Sequence, residues 1–280
     1  MRWTPGGRSR NLEDRRGSGG GMGMPMGIGG TVVLLVLSLL FGRNLFNDVG
    51  VQPGQQVTTS GGALADSAAE EPQVQFVSFV LDNAQQTWSQ VLPREANVPW
   101  QDAKVVLFRQ VVQSGCGTAQ SAMGPFYCPL DQKVYVDLGF YDDLRSRFGA
   151  PGDFAQAYVL AHEIGHHVQH LMGTDERVRR AQRASGGAAA NRYSVALELQ
   201  ADCYAGIWAY HTNQQRILEQ GDVEEGLAAA AAVGDDRIQQ QSTGSVNPES
   251  FTHGSSAQRA SWFRRGYETG QMKSCDSFSG

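Results

Sequence analysis

The chain has 280 residues, of which 41% are hydrophobic and 18% are charged, enough for one large domain or two small ones with a buried core. Its formal net charge of -5 gives no electrostatic reason to expect a nucleic acid partner. Glycine is concentrated near the N-terminus without a repeat period, which argues against a fibrous protein.

The first part of the chain carries arginines followed by an apolar run. Residues 1–20 hold five arginines against Glu13 and Asp14, and no charged residue interrupts the stretch from Met22 to Gly42. About 20 helical residues span the ~30 Å hydrocarbon core of a bilayer. We therefore predict a transmembrane signal anchor over residues 21–42. The excess of arginine before it predicts that residues 1–20 are a basic tail in the cytoplasm.

Two other interpretations of this run fit less well. A cleaved signal peptide needs a small-residue cleavage site directly after the run, where Gly42-Arg43-Asn44-Leu45-Phe46 stands instead. A buried core helix would not be flanked by glycines and arginines. The anchor interpretation predicts a single-pass protein of the cytoplasmic membrane. Residues 43–73 are then a flexible polar linker, and residues 74–280 form a domain on the periplasmic or extracellular side.

Helices dominate the predicted elements of this domain. In chain order, the patterns first predict a helix over 74–91, strands over 104–112 and 133–140 with a loop between them, and a short helix over 141–147. A helix from an Asp153 N-cap to Met172, a polar segment to Asn191 and a helix over 192–211 follow. Two more helices are each opened by a capping box, at 222–225 and at 255–258, and the second ends near Thr269. This is an α+β pattern, mostly helical with a small sheet. An exposed edge of the strand Val134–Leu138 would let a substrate strand add to it.

Four cysteines all follow the predicted anchor. An even number of cysteines in an exported domain indicates two disulfides. The most economical pairing joins Cys116 to Cys128 across a glycine-containing loop, which leaves Cys203 with Cys275. Four reduced thiols in a cytosolic domain are the alternative, which the predicted orientation disfavours. None of the cysteines forms a C-x-x-C pair of the kind that binds zinc.

The segment His162-Glu163-Ile164-Gly165-His166 lies inside a predicted helix. Positions i and i+4 share one helical face, so His162 and His166 can both direct an imidazole nitrogen at one zinc ion. Glu163 lies beside the open coordination position. There it can act as the general base that takes a proton from a zinc-activated water and passes it to the leaving amine. A chance match to this pattern would bring no third ligand.

A third ligand is available on the next predicted helix. Glu198 and Asp202 share a face of that helix, and the apolar residues around them predict that the face is buried. Glu198 completes a set of two histidines and one carboxylate with an open fourth position, which is the arrangement of catalytic zinc, and one zinc per chain is expected. Asp202 can accept the other ring N–H of a ligand histidine and so fix its tautomer.

His253 precedes the last predicted helix, in a loop that could reach the zinc. Zinc peptidases need a hydrogen-bond donor near the developing oxyanion in addition to the metal. His253 is a candidate for that donor, and a solvent-exposed loop histidine is the alternative.

Six stretches of the sequence stand out together: Leu12–Arg16, Ser114–Gly117, Gly124–Asp131, His162–Gln169, Glu198–Gly206 and Thr252–Ser256. With these stretches the chain resembles the neutral zinc metallopeptidases, a family of bacterial membrane-anchored proteins. The metal motif is also similar to that of the gluzincins, whose third ligand is a glutamate followed four residues later by an aspartate. Glu198 and Asp202 match those positions. The resemblance implies a zincin-like metallopeptidase domain and peptide-bond hydrolysis, without identifying the substrate.

Three functions are compatible with these features. The first is a membrane-anchored zinc peptidase acting on protein or peptide substrates. The second is a non-enzymatic zinc-binding protein of the cell envelope that serves as an interaction module. The intact Glu163 disfavours it, because a structural site has no use for a base. The third is a zinc hydrolase of another bond, such as a cell-wall amide. The sequence does not determine the oligomeric state.

Overall fold

The computed structural model describes residues 1–17, 69–146 and 148–279. In those ranges the helices are α1 (Glu71–Ala96), α2 (Gly139–Ser146), α3 (Asp153–Leu171), α4 (Thr174–Ala184), α5 (Ala188–Gln214), α6 (Asp222–Ala232), α7 (Asp235–Thr243) and α8 (Ser256–Thr269). The strands are β1 (Leu12–Asp14), β2 (Lys104–Phe108), β3 (Val111–Ser114), β4 (Gly117–Gln120), β5 (Phe126–Cys128) and β6 (Lys133–Asp137). The predicted α+β class, mostly helical with a small sheet, is confirmed.

The main sheet has four strands in the order β1-β2-β6-β5. β2 runs parallel to both β1 and β6, whereas β5 is antiparallel to β6. The predicted strand over 104–112 is divided, because Gln110 adopts a left-handed backbone with φ 63° and its amide donates to Asp137. The chain then continues into a separate β3–β4 hairpin. The loop expected between the two strands contains β4 and β5, which are too short to give an alternating pattern.

The edge expected on the strand Val134–Leu138 is not free. β6 is an interior strand, hydrogen-bonded to β2 on one side and to β5 on the other. Within the described ranges the outer strands of this sheet are β1 and β5.

Residues 1–17 belong to the fold of the domain, which corrects the prediction of a separate basic tail over residues 1–20. Leu12 pairs with Val105 in the parallel register of β1 and β2. The arginines are compensated locally, since Arg8 forms ion pairs with Asp14 and Glu71. Arg16 is almost fully buried between Asp14 and Glu70. The excess of arginine over residues 1–20 is misleading, because most of the acidic partners that compensate it lie later in the chain.

This sheet has a consequence for membrane topology. A single crossing between residues 17 and 69 would place β1 and β2 on opposite sides of a membrane, whereas paired strands of one sheet must lie on the same side. The pairing of Leu12 and Val105 therefore predicts that both segments lie on one side, and the side on which residues 1–20 and 74–280 lie stays a prediction.

The predicted anchor over residues 21–42 lies outside the described residues, as does most of the predicted linker over 43–73. The described end of that linker already enters α1, which begins at Glu71 rather than at Val74. Among the residues that the structure describes, no helix has both the length and the apolar character needed to cross a bilayer.

Several helix ends differ from their sequence signals. Gly152, not Asp153, is the N-cap of α3, and the predicted capping box of α6 does not form because Gly221 occupies the cap. Asp153 and Asp222 instead accept hydrogen bonds from the Met1 ammonium group. The predicted polar segment contains α4, and α7 was not predicted. The capping box of Ser255 and Gln258 at the start of α8 is confirmed.

Helices α3, α5 and α8 cross closely around the core. Phe154 of α3 stacks on Trp208 of α5 with ring centroids 5.7 Å apart. A Cβ atom at Gly206 of α5 would lie 2.0 Å from the backbone oxygen of Phe263, and one at Gly266 of α8 would lie 1.9 Å from that of Cys203. Glycine at both positions permits this contact, which brings the second half of α8 against α5.

Candidate metal centre and active site

His162, His166 and Glu198 converge on one point. Nε2 of His162 lies 3.2 Å from one carboxylate oxygen of Glu198, and Nε2 of His166 lies 3.4 Å from the other. One atom from each residue falls within 4.8 Å of the others. The three groups predicted as metal ligands are thus brought together by two helices, α3 and α5.

The close approach of these helices depends on Gly165, inside the histidine motif. A Cβ atom at this position would lie 2.9 Å from the backbone oxygen of Ala201 on α5. Real Cβ atoms essentially never approach that closely. The glycine therefore allows α5 to lie against the α3 face that carries both histidines.

Asp202 orients the first of the two imidazoles. Its carboxylate lies 2.9 Å from Nδ1 of His162. Because an ionised carboxylate can only accept a hydrogen bond, Nδ1 donates to Asp202, and Nε2 is the ring nitrogen that faces Glu198. Arg259 holds Asp202 ionised, since its Nε and Nη2 atoms donate to the two carboxylate oxygens at 2.8 and 3.0 Å. Tyr158 donates a further hydrogen bond to Asp202.

Gln169 has the equivalent relationship to the second imidazole. Its Oε1 atom lies 2.8 Å from Nδ1 of His166, whose Nε2 then faces Glu198. Both histidines therefore direct Nε2 towards the Glu198 carboxylate. A bound cation would replace the protons at these two nitrogens, and two imidazoles with one carboxylate are the protein donor set of many catalytic zinc sites, so these residues fit zinc.

The electrostatics of the site favour a bound cation. Burial alone would lower the pKa of His162, but the carboxylates of Asp202 and Glu198 raise it to about 10. Burial alone would raise the pKa of Glu198, but the two imidazoles hold it well below its usual range. The pocket thus stabilises positive charge at the point where the three ligand atoms meet.

Glu163 lies next to His162 on α3 and is buried, with 7% of its surface exposed. Burial raises the pKa of its carboxyl group, and Glu198 acts in the same direction, whereas His162 and His166 lower it. A carboxylate with a raised pKa is a stronger base near neutral pH, which suits a group that must take up a proton.

The comparisons with known proteins agree with this geometry. A model of the family described as "Putative neutral zinc metallopeptidase" matches residues 1–278. The chain belongs to this family.

Relatives of this chain include two proteins named as uncharacterized. The chain is 47% identical to "Uncharacterized protein YpfJ" of Escherichia coli (strain K12) over 285 aligned residues, covering 99% of each chain. It is 51% identical to "Uncharacterized protein Rv2575" of Mycobacterium tuberculosis (strain ATCC 25618 / H37Rv) over 184 residues, covering 62% of this chain and 61% of the relative. No solved structure matches this chain.

The loop that carries His253 lies against the helix of the third ligand. The position of a Cβ atom at Gly254 is 3.3 Å from both Val195 and Leu199, which flank Glu198 on α5. Asp235 fixes this loop by accepting hydrogen bonds from the backbone amides of Thr252, His253 and Gly254.

Asp235 also contacts the His253 imidazole, with 3.1 Å between Nδ1 and a carboxylate oxygen. This hydrogen bond raises the pKa of His253, and the charge of Glu198 acts in the same direction, while burial and the charge of Arg259 oppose it. The His253 side chain remains 52% exposed, so it can donate a hydrogen bond to a molecule that binds beside this loop.

The other histidines of α3 have structural partners. His167 is fully buried between the hydroxyl group of Tyr127 and the backbone oxygen of Gln101, and burial lowers its pKa to about 4. His170 pairs with Asp175 of α4. Neither belongs to the cluster of His162, His166 and Glu198.

The four cysteines pair as predicted. The Cys116–Cys128 disulfide connects the β3–β4 hairpin to β5, across 12 positions of sequence. The Cys203–Cys275 disulfide spans 72 positions and joins α5, next to Asp202, to the C-terminal segment.

Sequence reasoning missed three residues of this site: Arg259, Gln169 and Asp235. Arg259 and Asp235 act on partners 57 and 18 positions away, a separation that carries no local periodicity. Gln169 could have been noticed, because it lies three positions after His166 and therefore on the same helical face.

A second acidic group consists of Asp153, Asp222 and Glu225. The Met1 ammonium group lies 3.0 Å from Asp153 and 3.3 Å from Asp222, so a cation of the protein itself already compensates these charges. It contains no histidine, unlike the centre around Glu198.

Proposed function

We propose that this protein is a zinc-dependent peptidase that hydrolyses peptide bonds, with one zinc per chain held by His162, His166 and Glu198. The observation that carries the proposal is the shared orientation of the two imidazoles. Asp202 and Gln169 accept from the two Nδ1 atoms, so that both Nε2 atoms face Glu198. When bound, zinc supplies a Lewis acid that polarises the substrate carbonyl and lowers the pKa of water.

Glu163 is the general base in this proposal. It takes a proton from the attacking water and delivers it to the amine that leaves when the C–N bond breaks. Its burial supports this role, because it raises the carboxyl pKa towards the working pH. Asp202 and Arg259 do not touch the substrate, and they keep His162 in one tautomer.

His253 is the donor to the carbonyl oxygen as negative charge develops on it. Asp235 favours this by holding the loop through three amides and by stabilising the imidazolium form. A donor placed in advance at the developing oxyanion contributes about 2.7–4 kcal/mol of transition-state stabilisation in other hydrolases.

A substrate backbone can add to the outer strand β5. Tyr127 of β5 is hydrogen-bonded to His167, the residue after the ligand His166, so this strand is tied to the motif helix. An extended peptide along β5 would gain main-chain hydrogen bonds whatever its side chains. Specificity would then come from the surrounding surfaces.

We also propose that residues 21–42 attach the protein to the cytoplasmic membrane, with the peptidase domain on its outer side. The apolar composition of that segment and the two disulfides support this location. Because β1 pairs with β2, residues 1–17 are expected on the same side as the domain.

The test is metal content and casein hydrolysis of the purified full chain, with Glu163→Gln beside it. The full chain is required because removal of residues 1–70 would delete β1 and expose β2. One zinc per chain and hydrolysis by the parent alone are expected. Zinc bound without hydrolysis of any peptide by the parent would favour the non-enzymatic envelope role. A parent that binds no zinc would rule out the proposal.

A further inference from the structure

Gln169 uses both ends of its side-chain amide in the core. It is fully buried, and its Nε2 atom donates to the backbone oxygen of Leu197 at 2.7 Å and to Oε1 of Gln200 at 3.1 Å. A backbone oxygen can only accept, so the bond to Leu197 fixes which end of the amide is nitrogen. Oε1 must then face His166, and it can only accept from Nδ1.

Gln200 extends this chain of hydrogen bonds to the C-terminal segment. Its Nε2 atom donates to the backbone oxygen of Cys275 at 3.0 Å, which fixes its orientation in the same way. Cys275 is bonded to Cys203, three positions after Gln200 on α5. The carbonyl that orients Gln200 is therefore held by a covalent link to the helix that carries Glu198.

The two histidines are thus oriented by different means. His162 donates to the charged Asp202, which Arg259 compensates. His166 donates to a neutral amide whose orientation is set through Gln200 and the Cys275 carbonyl. If Gln169 only filled space, its amide oxygen and nitrogen would not each need a hydrogen-bond partner that determines which way the amide points.

We propose that Gln169 is a positioning residue for His166, and that Gln200 and the disulfide-linked Cys275 hold it in place. In this relay of hydrogen bonds through Gln169, Gln200 and Cys275, the C-terminal segment contributes to zinc affinity by holding the His166 ring so that Nε2 points at Glu198. The inference rests on the proposed zinc site. It adds a source of metal affinity that the ligands do not supply themselves.

The first experiment compares zinc affinity of the full chain and its variants by competition with a chromogenic chelator. Gln169→Met removes the acceptor for His166 at similar volume, and a loss of about 10–100-fold in zinc affinity is expected. Gln200→Met leaves that acceptor but releases it from Cys275, so a smaller loss is expected.

Thr212→Val is the matched control. Thr212 is also buried on α5, where its hydroxyl donates to Asn83 at 3.0 Å and to the backbone oxygen of Trp208 at 2.8 Å. Thr212 lies ten positions beyond Asp202, about 15 Å along the helix. Its substitution should lower the melting temperature of the zinc-free protein and leave zinc affinity unchanged.

A second measurement does not depend on how the variants fold. In the zinc-loaded parent labelled with ¹⁵N-histidine, NMR should show His166 protonated at Nδ1 and not at Nε2. The opposite tautomer would overturn the proposal. So would a Gln169→Met protein that folds and binds zinc as tightly as the parent.

Loss of the zinc site and loss of the relay give different results in these experiments. A parent that binds no zinc removes the proposed metal site, and the relay with it. A parent that binds zinc while Gln169→Met and Thr212→Val both retain its affinity removes the relay alone.

Discussion

Arg259 donates hydrogen bonds from Nε and Nη2 to both carboxylate oxygens of Asp202, across 57 positions of sequence. Both groups are buried, at 4% and 0% exposure, in direct contact with His162. A bidentate contact of this kind joins the start of α8 to the middle of α5. It also keeps the partner of a proposed zinc ligand ionised.

We expect Arg259→Met to lower the free energy of unfolding by about 3–5 kcal/mol, because it leaves the buried Asp202 carboxylate without its cation. Urea unfolding of the zinc-free full chain measures the change. Arg264→Met is the control, since Arg264 is an exposed residue of the same helix, and a change within about 0.5 kcal/mol is expected. Equal effects of the two substitutions would contradict the role of Arg259.

Gly165→Ala should reduce both stability and zinc affinity. The new methyl group would meet the Ala201 backbone 2.9 Å away and force α3 and α5 apart. Overpacking costs about 1–3 kcal/mol, and separation of the helices moves His162 and His166 away from Glu198. Thermal unfolding and chelator competition measure the two effects. Gly186→Ala, where a Cβ would meet no atom within 4 Å, is expected to change neither.

The pH dependence of hydrolysis should report the pair of His253 and Asp235. Asp235 raises the pKa of His253, so the protonated donor is present below that raised pKa and is lost as the pH rises through it. Asp235→Asn should therefore move the alkaline fall in kcat/KM to lower pH. His253→Gln should abolish that fall and reduce the rate.

Asp236→Asn is the control for this pH profile. Asp236 accepts hydrogen bonds from the amide and hydroxyl groups of Ser256 at the start of α8. The His253 imidazole is hydrogen-bonded to Asp235 instead. Its substitution should leave the alkaline fall where it is in the parent. A profile that shifts equally in both variants would assign the effect to the loop and not to the imidazole.

The two disulfides should differ in their effect on zinc. Loop-closure entropy predicts a stabilisation of about 3 kcal/mol for the 12-residue separation of Cys116 and Cys128 and about 4 kcal/mol for the 72-residue separation of Cys203 and Cys275. Double serine variants of each pair test this by urea unfolding. Only the Cys203 and Cys275 variant is expected to weaken zinc binding as well, because Cys275 orients Gln200.

The pairing of β1 with β2 predicts that both ends of the chain lie on one side of a membrane. Gly6→Cys and Ser261→Cys place single thiols at exposed positions before and after residues 21–42, and within the described residues the native cysteines are paired. A membrane-impermeant maleimide should label both variants in intact cells, or neither until the cells are permeabilised. Labelling of only one before permeabilisation would restore the single-crossing topology.

The sequence alone predicts interactions between residues that are close together in the chain, and it does not predict most of those between distant residues. The histidine motif could be interpreted because His162 and His166 are one helical turn apart, and helical geometry alone places them on one face. The same holds for Glu198 with Asp202 and for the capping box of Ser255 with Gln258. The segment 1–17 was misinterpreted because its arginines were counted without Glu70 and Glu71, more than 50 positions later.

The sequence by itself determined that His162 and His166 share one helical face and that Glu198 and Asp202 share another, because helical spacing alone places them there. It predicted the proposed zinc ligands and the most economical pairing of the cysteines from spacing along the chain. Only the tertiary structure decided that β1 joins the sheet, that Arg259 compensates Asp202, that Asp235 supports His253, and that Cys275 reaches His166 through two glutamines. These contacts require particular helices and strands to pack against one another. Their residues show no spacing that would mark them before the chain is folded.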